Sequence, residues 1–239
     1  MLLKVRKMTD ARQIIHYARV SSTQSVAKKL VSLGIPVGTV IVADKQEQGR
    51  GRLDRTWISP VGGLYASVIL QAEPLISLRA GIAVAKGLRE LGIEARLRWP
   101  NDVMVEEKKI GGILIEVSGS WAIVGMGVNL VPVPLESATC VARETCVHIT
   151  RDQLLALILQ WMKPSLSGKV VQEYRALSAT IGRTVCVESK RGKLIGKAIG
   201  IDVAGRLLVD SAGVVHVISS GDCSNLSFRD NRAEKTVKR

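Results

Sequence analysis

Between Ala95 and Asn129 the chain carries four apolar stretches, "ARLRW", "VMV", "KIGGILIEV" and "WAIVGMGVN", parted by turns that include "WPND" and "VEEKK". No helical pattern lies between them. Successive strands without crossover helices must pair in an antiparallel or mixed sheet, and such a sheet buries its apolar side under helices packed on one face. The helices can be read as well. "EPLISLRAGIAVAKGLRELG" has apolar residues at helical spacing and predicts a helix over about 75–91, closed by Gly92. "TRDQLLALILQWMKP" opens on a Thr-x-x-Gln capping box at Thr150 and Gln153, and a further helix is expected over about 170–177. Ser21, Ser22 and Thr23 precede "QSVAKKLVSLG", a short capped helix, and "VGTVIVAD" and "LYASVIL" add two buried strands. The fold class is α+β, with a mixed, mostly antiparallel sheet.

From Ile181 the texture changes to short strands, "RTVCVES", "KLIGKAIGID", "RLLVD" and "VVHVISS", separated by glycine-containing turns. This is the pattern of a small β-barrel. A boundary near Ser178 is expected, giving a large domain over 1–178, a barrel over 179–229 and a basic, solvated tail over 230–239.

A chain of 239 residues that is 46% hydrophobic can bury a real core. Its formal net charge of +13 points to an anionic partner, whether nucleotide, nucleic acid or acidic protein, without choosing among them. Cys140, Cys146, Cys186 and Cys223 form no C-x-x-C pair, and His16, His148 and His216 are scattered, so no metal site is expected. The simplest reading of the cysteines is reduced, buried thiols in a cytosolic protein, with a Cys140–Cys146 bridge as the alternative. The first residues carry charges where a signal peptide needs an apolar run. The uncharged stretch from Val117 to Leu135 holds three glycines and two prolines, which suits a strand and loop rather than a membrane span.

Chemistry is concentrated in "DKQEQGRGRLDRTW", residues 44–57, at the end of a strand. Gly49 and Gly51 are expected to take positive φ and turn N–H groups inward as an anion nest, while Arg50, Arg52 and Arg55 supply guanidinium forks for phosphate or carboxylate. The bland alternative is a solvated basic turn. No G-x-x-x-x-G-K-[ST] is present, and only two glycines of the dinucleotide fingerprint are found.

The loop gains meaning in company. "SSTQS" (21–25), "ADKQEQGRGRLDRTW" (43–57), "SPVGGLYAS" (59–67), "RWPNDV" (98–103), "KKIGGILIE" (108–116) and "GMGVNL" (125–130) occur in that order, and with them the chain resembles the biotin protein ligases over nearly its whole length. The resemblance implies a class II synthetase-like catalytic domain with an SH3-like C-terminal barrel. It implies ATP and biotin as substrates with Mg²⁺ as cofactor, biotinyl-5′-AMP as the intermediate, and a lysine of a biotin carboxyl carrier protein as acceptor in the cytoplasm. It also assigns roles. Ser22, Thr23 and Gln24 match a Ser-Thr-Asn turn that bonds the ureido group of biotin, with Gln24 departing from the usual Asn; simple helix capping is the alternative. Gln46 lines the biotin pocket. Arg50, Gly51 and Arg52 close over biotin and the α-phosphate, with Arg52 expected to stabilise the transferring phosphoryl group and Arg55 to add to the nucleotide contacts. Trp57 packs near adenine or holds the base of the loop, or is plain core. Lys109 meets the biotin carboxylate and the phosphate. Gly111 and Gly112 let the bicyclic ring lie on strand backbone, or else mark close strand packing. Asn101 and Asp102 stand in "WPND", where Arg98 replaces the usual Lys; Asp102 orients Lys109 or takes a proton from the acceptor lysine. Asn129 is expected to bond adenine. Only about twenty residues precede the Ser-Thr turn, so no N-terminal DNA-binding domain is expected, and "WAIVGMGV" is the candidate edge strand for a homodimer. Two rival readings are a lipoate ligase, whose pattern lacks G-R-G-R, and a nucleic-acid-binding module, which leaves the glycine strand and "WPND" without a purpose.

Overall fold

A computed structural model describes residues 2–7, 13–163, 167–189 and 192–226. Among these, eight strands form the larger sheet: β1 (Leu2–Lys7), β2 (Gln13–Val20), β3 (Val40–Gln46), β4 (Leu64–Gln71), β5 (Ala95–Arg98), β6 (Asp102–Val105), β7 (Lys108–Ser118) and β8 (Trp121–Val128). Their spatial order is β1-β2-β3-β4-β8-β7-β6-β5. The four stretches that follow one another without helices are β5 to β8, and each pairs antiparallel with the next. The only parallel pair in this sheet among the described residues is β2 with β3. It is possible because α1 (Thr23–Ser32) lies between them and returns the chain to the same end.

Alternation along the strands separates two cores. Val40, Val42, Leu64, Ala66, Val68, Val124, Met126 and Val128 join one large buried cluster with α2 (Ile76–Arg89) and α4 (Arg151–Trp161). The intervening Ile41, Ile69 and Ile123 face the other way, against Ala27 of α1. Each fully buried isoleucine there contributes about 1.5–3 kcal/mol. The helical layer is therefore not confined to one face, because α1 covers the apolar residues that α2 and α4 cannot reach. The capping box of α4 is present: Thr150 and Gln153 exchange backbone N–H and side-chain oxygen. Helix α2 ends as expected, with Gly92 at φ 76° and the N–H of Ile93 returning to Leu88 O at 3.3 Å. Two short helices complete the set, α3 (Val141–Glu144) and α5 (Ser167–Leu177).

The short C-terminal strands form a five-stranded antiparallel sheet of β9 (Thr184–Ser189), β10 (Gly192–Ile201), β11 (Leu207–Ser211), β12 (Val214–Ile218) and β13 (Asp222–Asn225), ordered β12-β11-β10-β9-β13. It is fastened to the larger sheet at the "WPND" turn. Trp99, 2% exposed, donates its indole N–H to Gly205 O at 3.1 Å and its backbone N–H to Thr180 Oγ1 at 2.9 Å. The N–H of Ala179 reaches Leu97 O at 2.8 Å. These bonds place β13 beside the arginine loop.

Three expectations need correcting. β8 is not an edge strand, being paired with β4 on one side and β7 on the other, so it has no free ladder to offer a second copy. The cysteines are unbridged, but Cys146 is exposed where four buried thiols were expected. β1 and β2 were not foreseen, because charges interleave with their apolar residues. The expected tail over 230–239 lies outside the described residues.

Candidate active site

The arginine loop is a small closed hairpin. The N–H of Gly51 bonds Arg55 O at 2.7 Å, the N–H of Trp57 bonds Gly49 O at 2.8 Å, and Arg50 and Thr56 form an antiparallel bridge. Its left-handed residues are Leu53 (φ 52°) and Asp54 (φ 57°), not the glycines. The expected glycine nest is therefore not how the loop is built. Gly49 is required for a different reason: a Cβ there would sit 2.3 Å from Trp57 O and 2.5 Å from Ser59 Oγ.

Each arginine of the loop is already held by a named partner. Arg52 donates from Nη1 to Asn101 Oδ1 at 2.9 Å and from both Nη atoms to Gly221 O at 3.3 Å. Its burial pulls the guanidinium below the usual arginine range, against the opposing pull of Asp222 and Asp102. Arg55 pairs with Asp222, and Arg50 pairs with Glu116. Asn101 uses its other end to bond Ile113 O at 3.0 Å, so it both anchors β7 and aims Arg52.

Lys109, near the start of β7, meets Asp102 Oδ1 at 2.5 Å, and Arg98 Nη2 donates to Asp102 Oδ2 at 2.7 Å. Burial by itself would raise the Asp102 pKa. The charge and hydrogen bond of Lys109, together with Arg98, outweigh it and hold the carboxyl below the usual carboxylate range. Lys109 Nζ also lies 5.3 Å from the centre of the Trp57 ring.

These groups surround a cavity of about 380 Å³. Its lining brings together Ser22, Thr23, Gln24, Gln46, Arg50, Gly51, Arg52, Arg55, Trp57, Asn101, Asp102, Lys109 and Gly112. Five cations, with Arg98 added, face three carboxylates, Asp102, Glu188 and Asp222. Ser22 stands at the N-cap of α1 yet makes no capping bond. It is 1% exposed, and its hydroxyl is unpartnered. The Trp57 indole N–H is likewise buried without a partner. Unpaired buried polar atoms are costly, and two lining one cavity point to a ligand that pairs them. Thr23 is engaged differently. Its backbone N–H and hydroxyl both reach Gln46 Oε1, at 2.8 and 3.1 Å, while Gln46 Nε2 donates to Ser59 Oγ at 2.9 Å.

Two predicted residues lie elsewhere. Gly111 is outside the cavity lining; a Cβ on it would meet Gly127 O at 3.0 Å and Val103 Cβ at 3.6 Å, so it serves close strand packing. Asn129 is 4% exposed and donates to Thr139 O at 3.1 Å, fastening the 129–141 segment rather than facing the cavity. Gly112 does face it, but the surface above it and its strand partner Gly127 is covered by Trp57: a Cβ at Gly127 would lie 2.5 Å from the indole. Sequence reasoning missed Ser67, Glu116, Gly221 and Asp222. Ser67 and Glu116, each at the end of a motif already singled out, carried a signal that could have found them.

The model of the Biotin/lipoate A/B protein ligase family matches residues 17–130, and that of the Biotin protein ligase C terminal domain matches residues 180–225. The chain is 33% identical to the biotin–[acetyl-CoA-carboxylase] ligase of Mycobacterium tuberculosis, covering 90% of each. It is 32% identical to the bifunctional ligase/repressor of Bacillus subtilis, over 88% of this chain and 73% of that one. The structure of the biotin protein ligase from Aquifex aeolicus in complex with biotin and ATP superimposes with a TM-score of 0.76 at 32% identity, covering 88% of this chain and 97% of that one.

Proposed function

The chain belongs to the biotin protein ligase family, and on that premise we propose how its own residues divide the reaction. The protein activates biotin with ATP to biotinyl-5′-AMP and passes the biotinyl group to a lysine of a biotin carboxyl carrier protein. The observation that carries the reading is the cavity itself, in which Lys109, Arg52 and Arg98 converge beside the unpaired Ser22 hydroxyl and Trp57 indole.

In the first step the biotin carboxylate attacks the α-phosphorus, the bond to the β-phosphate oxygen breaks, and pyrophosphate leaves. Two like charges at about 4 Å repel by roughly 4 kcal/mol at a protein-surface dielectric. Lys109, pinned by Asp102, offsets that repulsion, and Arg52, aimed by Asn101 and Gly221 O, receives the charge that develops on the phosphoryl oxygens. Ser22 supplies a fixed hydroxyl to the neutral ureido end, Trp57 supplies its ring and N–H on the nucleotide side, and Arg55 is a peripheral phosphate contact. In the second step the acceptor lysine attacks the biotinyl carbonyl as a neutral amine, and AMP leaves. A pocket with an excess of cations disfavours a further ammonium, so the acceptor lysine sheds its proton to solvent as it enters. Asp102, kept ionised by two cations, is a poor base and acts as the positioning residue for Lys109.

Mg²⁺ is expected with ATP. Asp102 and Asp222 are occupied by cations, and among the described residues no three metal-ligating side chains cluster. The ion would come as a companion of the triphosphate, which suits its preference for phosphate and water ligands. A cytoplasmic setting accords with unbridged cysteines; no helix among the described residues is long and apolar enough to cross a membrane. A homodimer formed by sheet pairing would not use β8, which is paired on both sides. The test is transfer. With ATP, Mg²⁺ and biotin the protein should label the target lysine of an apo carrier domain, read by mass spectrometry. Labelling with lipoate in preference to biotin would overturn the reading.

A further inference from the structure

Glu116, four residues beyond Gly112 on β7, has no task in the reaction just described. Its carboxylate takes Arg50 at two points, Nη2 to Oε1 at 3.1 Å and Nη1 to Oε2 at 3.2 Å. The same Oε2 accepts Nε2–H of Gln24 at 2.9 Å. The other end of that amide accepts the Ser67 hydroxyl at 2.9 Å, so both ends of Gln24 are used within the protein. Gln24 is 3% exposed and lies flat on β8, where a Cβ on Gly125 would come within 2.8 Å of its Oε1. The missing side chain at 125 makes room for the longer amide. One carboxylate on the sheet thus joins the arginine loop, through Arg50, to the first turn of α1, through Gln24. Ser22 and Thr23 precede Gln24 in that turn, and both line the cavity.

We propose that Glu116 is a positioning residue that ties the arginine loop to the start of α1, and that Arg50 acts through this tie, holding the loop over the adenylate, rather than as a phosphate ligand. The inference rests on the ligase reading. A two-point arginine–carboxylate pair fixes orientation as well as distance, which a loop needs if it is to retain a reactive intermediate until the carrier arrives.

The test loads the purified full chain with radiolabelled biotinyl-5′-AMP, removes free ligand and times its escape, with kcat and KM for biotin measured alongside. Glu116→Ala and Arg50→Ala should each speed escape about tenfold, and the double variant should be no faster than either. Glu116→Gln keeps an acceptor for Gln24 but loses the charge facing Arg50; it should retain most of the fast escape and guards against a folding defect in the alanine variant. The exchanged pair Arg50→Glu with Glu116→Arg should be slower than either single reversal. Fast escape from Arg50→Ala with wild-type escape from both Glu116 variants would mean that Arg50 touches the ligand directly, and the proposal fails. Additive effects, or wild-type escape from every variant, overturn it as well. A wild-type protein that neither forms nor holds the adenylate would instead count against the ligase reading.

Discussion

Replacing Gly127 with alanine probes the least expected feature of the site, the Trp57 ring lying over strand backbone. The new Cβ would sit 2.5 Å from both Cε2 and Nε1 of Trp57, about 1 Å inside ordinary carbon contact. An indole is rigid, so it must swing as a unit, which moves its N–H and breaks its contact with Lys109 Nζ. Overpacking of this kind costs about 1–3 kcal/mol, roughly one to two powers of ten in the folding equilibrium. The neighbouring glycines grade the effect. At Gly125 the obstacle is the Gln24 amide at 2.8 Å, which can shift only by straining its bonds to Glu116 and Ser67. At Gly112 it is the Trp57 edge at 3.2 Å and the pliant Lys109 chain at 3.3 Å. Urea midpoints should therefore fall most for Gly127→Ala, less for Gly125→Ala and least for Gly112→Ala, and KM for ATP should rise most for the first. Trp57→Leu should recover at least half of the Gly127→Ala penalty in a double-mutant cycle. A Gly127→Ala protein with a wild-type midpoint and a wild-type KM for ATP would refute the placement of the ring.

Lys109→Ala and Arg52→Ala should each slow adenylate formation by about 10²–10³-fold in protein that still melts cooperatively, because each removes a cation aimed at developing charge; near-normal single-turnover rates would show that the phosphate contacts lie elsewhere. Asp102 has a depressed pKa in the folded state, so its contribution to stability is present above about pH 4 and is lost as the pH falls through the lower folded value. Asp102→Asn should thus flatten the acid limb of the stability profile and, by stranding Lys109 and Arg98, cost about 1–3 kcal/mol near neutrality after allowance for their partial exposure; an unchanged acid limb in denaturation curves would contradict this. With a net charge of +13, the protein should meet an acidic carrier domain faster at low salt; stopped-flow transfer rates that ignore ionic strength would remove any role for steering.

The fold was legible where local pattern and tertiary demand agree. Helix α2, the capping box of α4 and the run from β5 to β8 follow from spacing, caps and the lack of crossover helices. The second core under α1 was not, because the unbroken apolar run "VIVA" says that a strand is buried without saying what covers each face. The site was legible where a motif fixed a side chain next to its strand partner, as with Asp102 and Lys109 on the paired strands β6 and β7. It was opaque where the partner comes from far along the chain. Gly221 and Asp222 sit 169 and 167 residues from Arg52 and Arg55, and "GDCS" looks like any other turn. Glycines misled in the same way: Gly49, Gly111 and Gly127 are dictated by close approach rather than by φ, and no local pattern reveals what will approach.

The most direct test of the whole account is incubation with α-labelled ATP and Mg²⁺ in the presence of biotin, lipoate or neither, followed by separation of any acyl-adenylate. Labelled biotinyl-5′-AMP should form with biotin, in amounts comparable to the enzyme present. An adduct with lipoate alone, or none with biotin, would contradict the account at its centre.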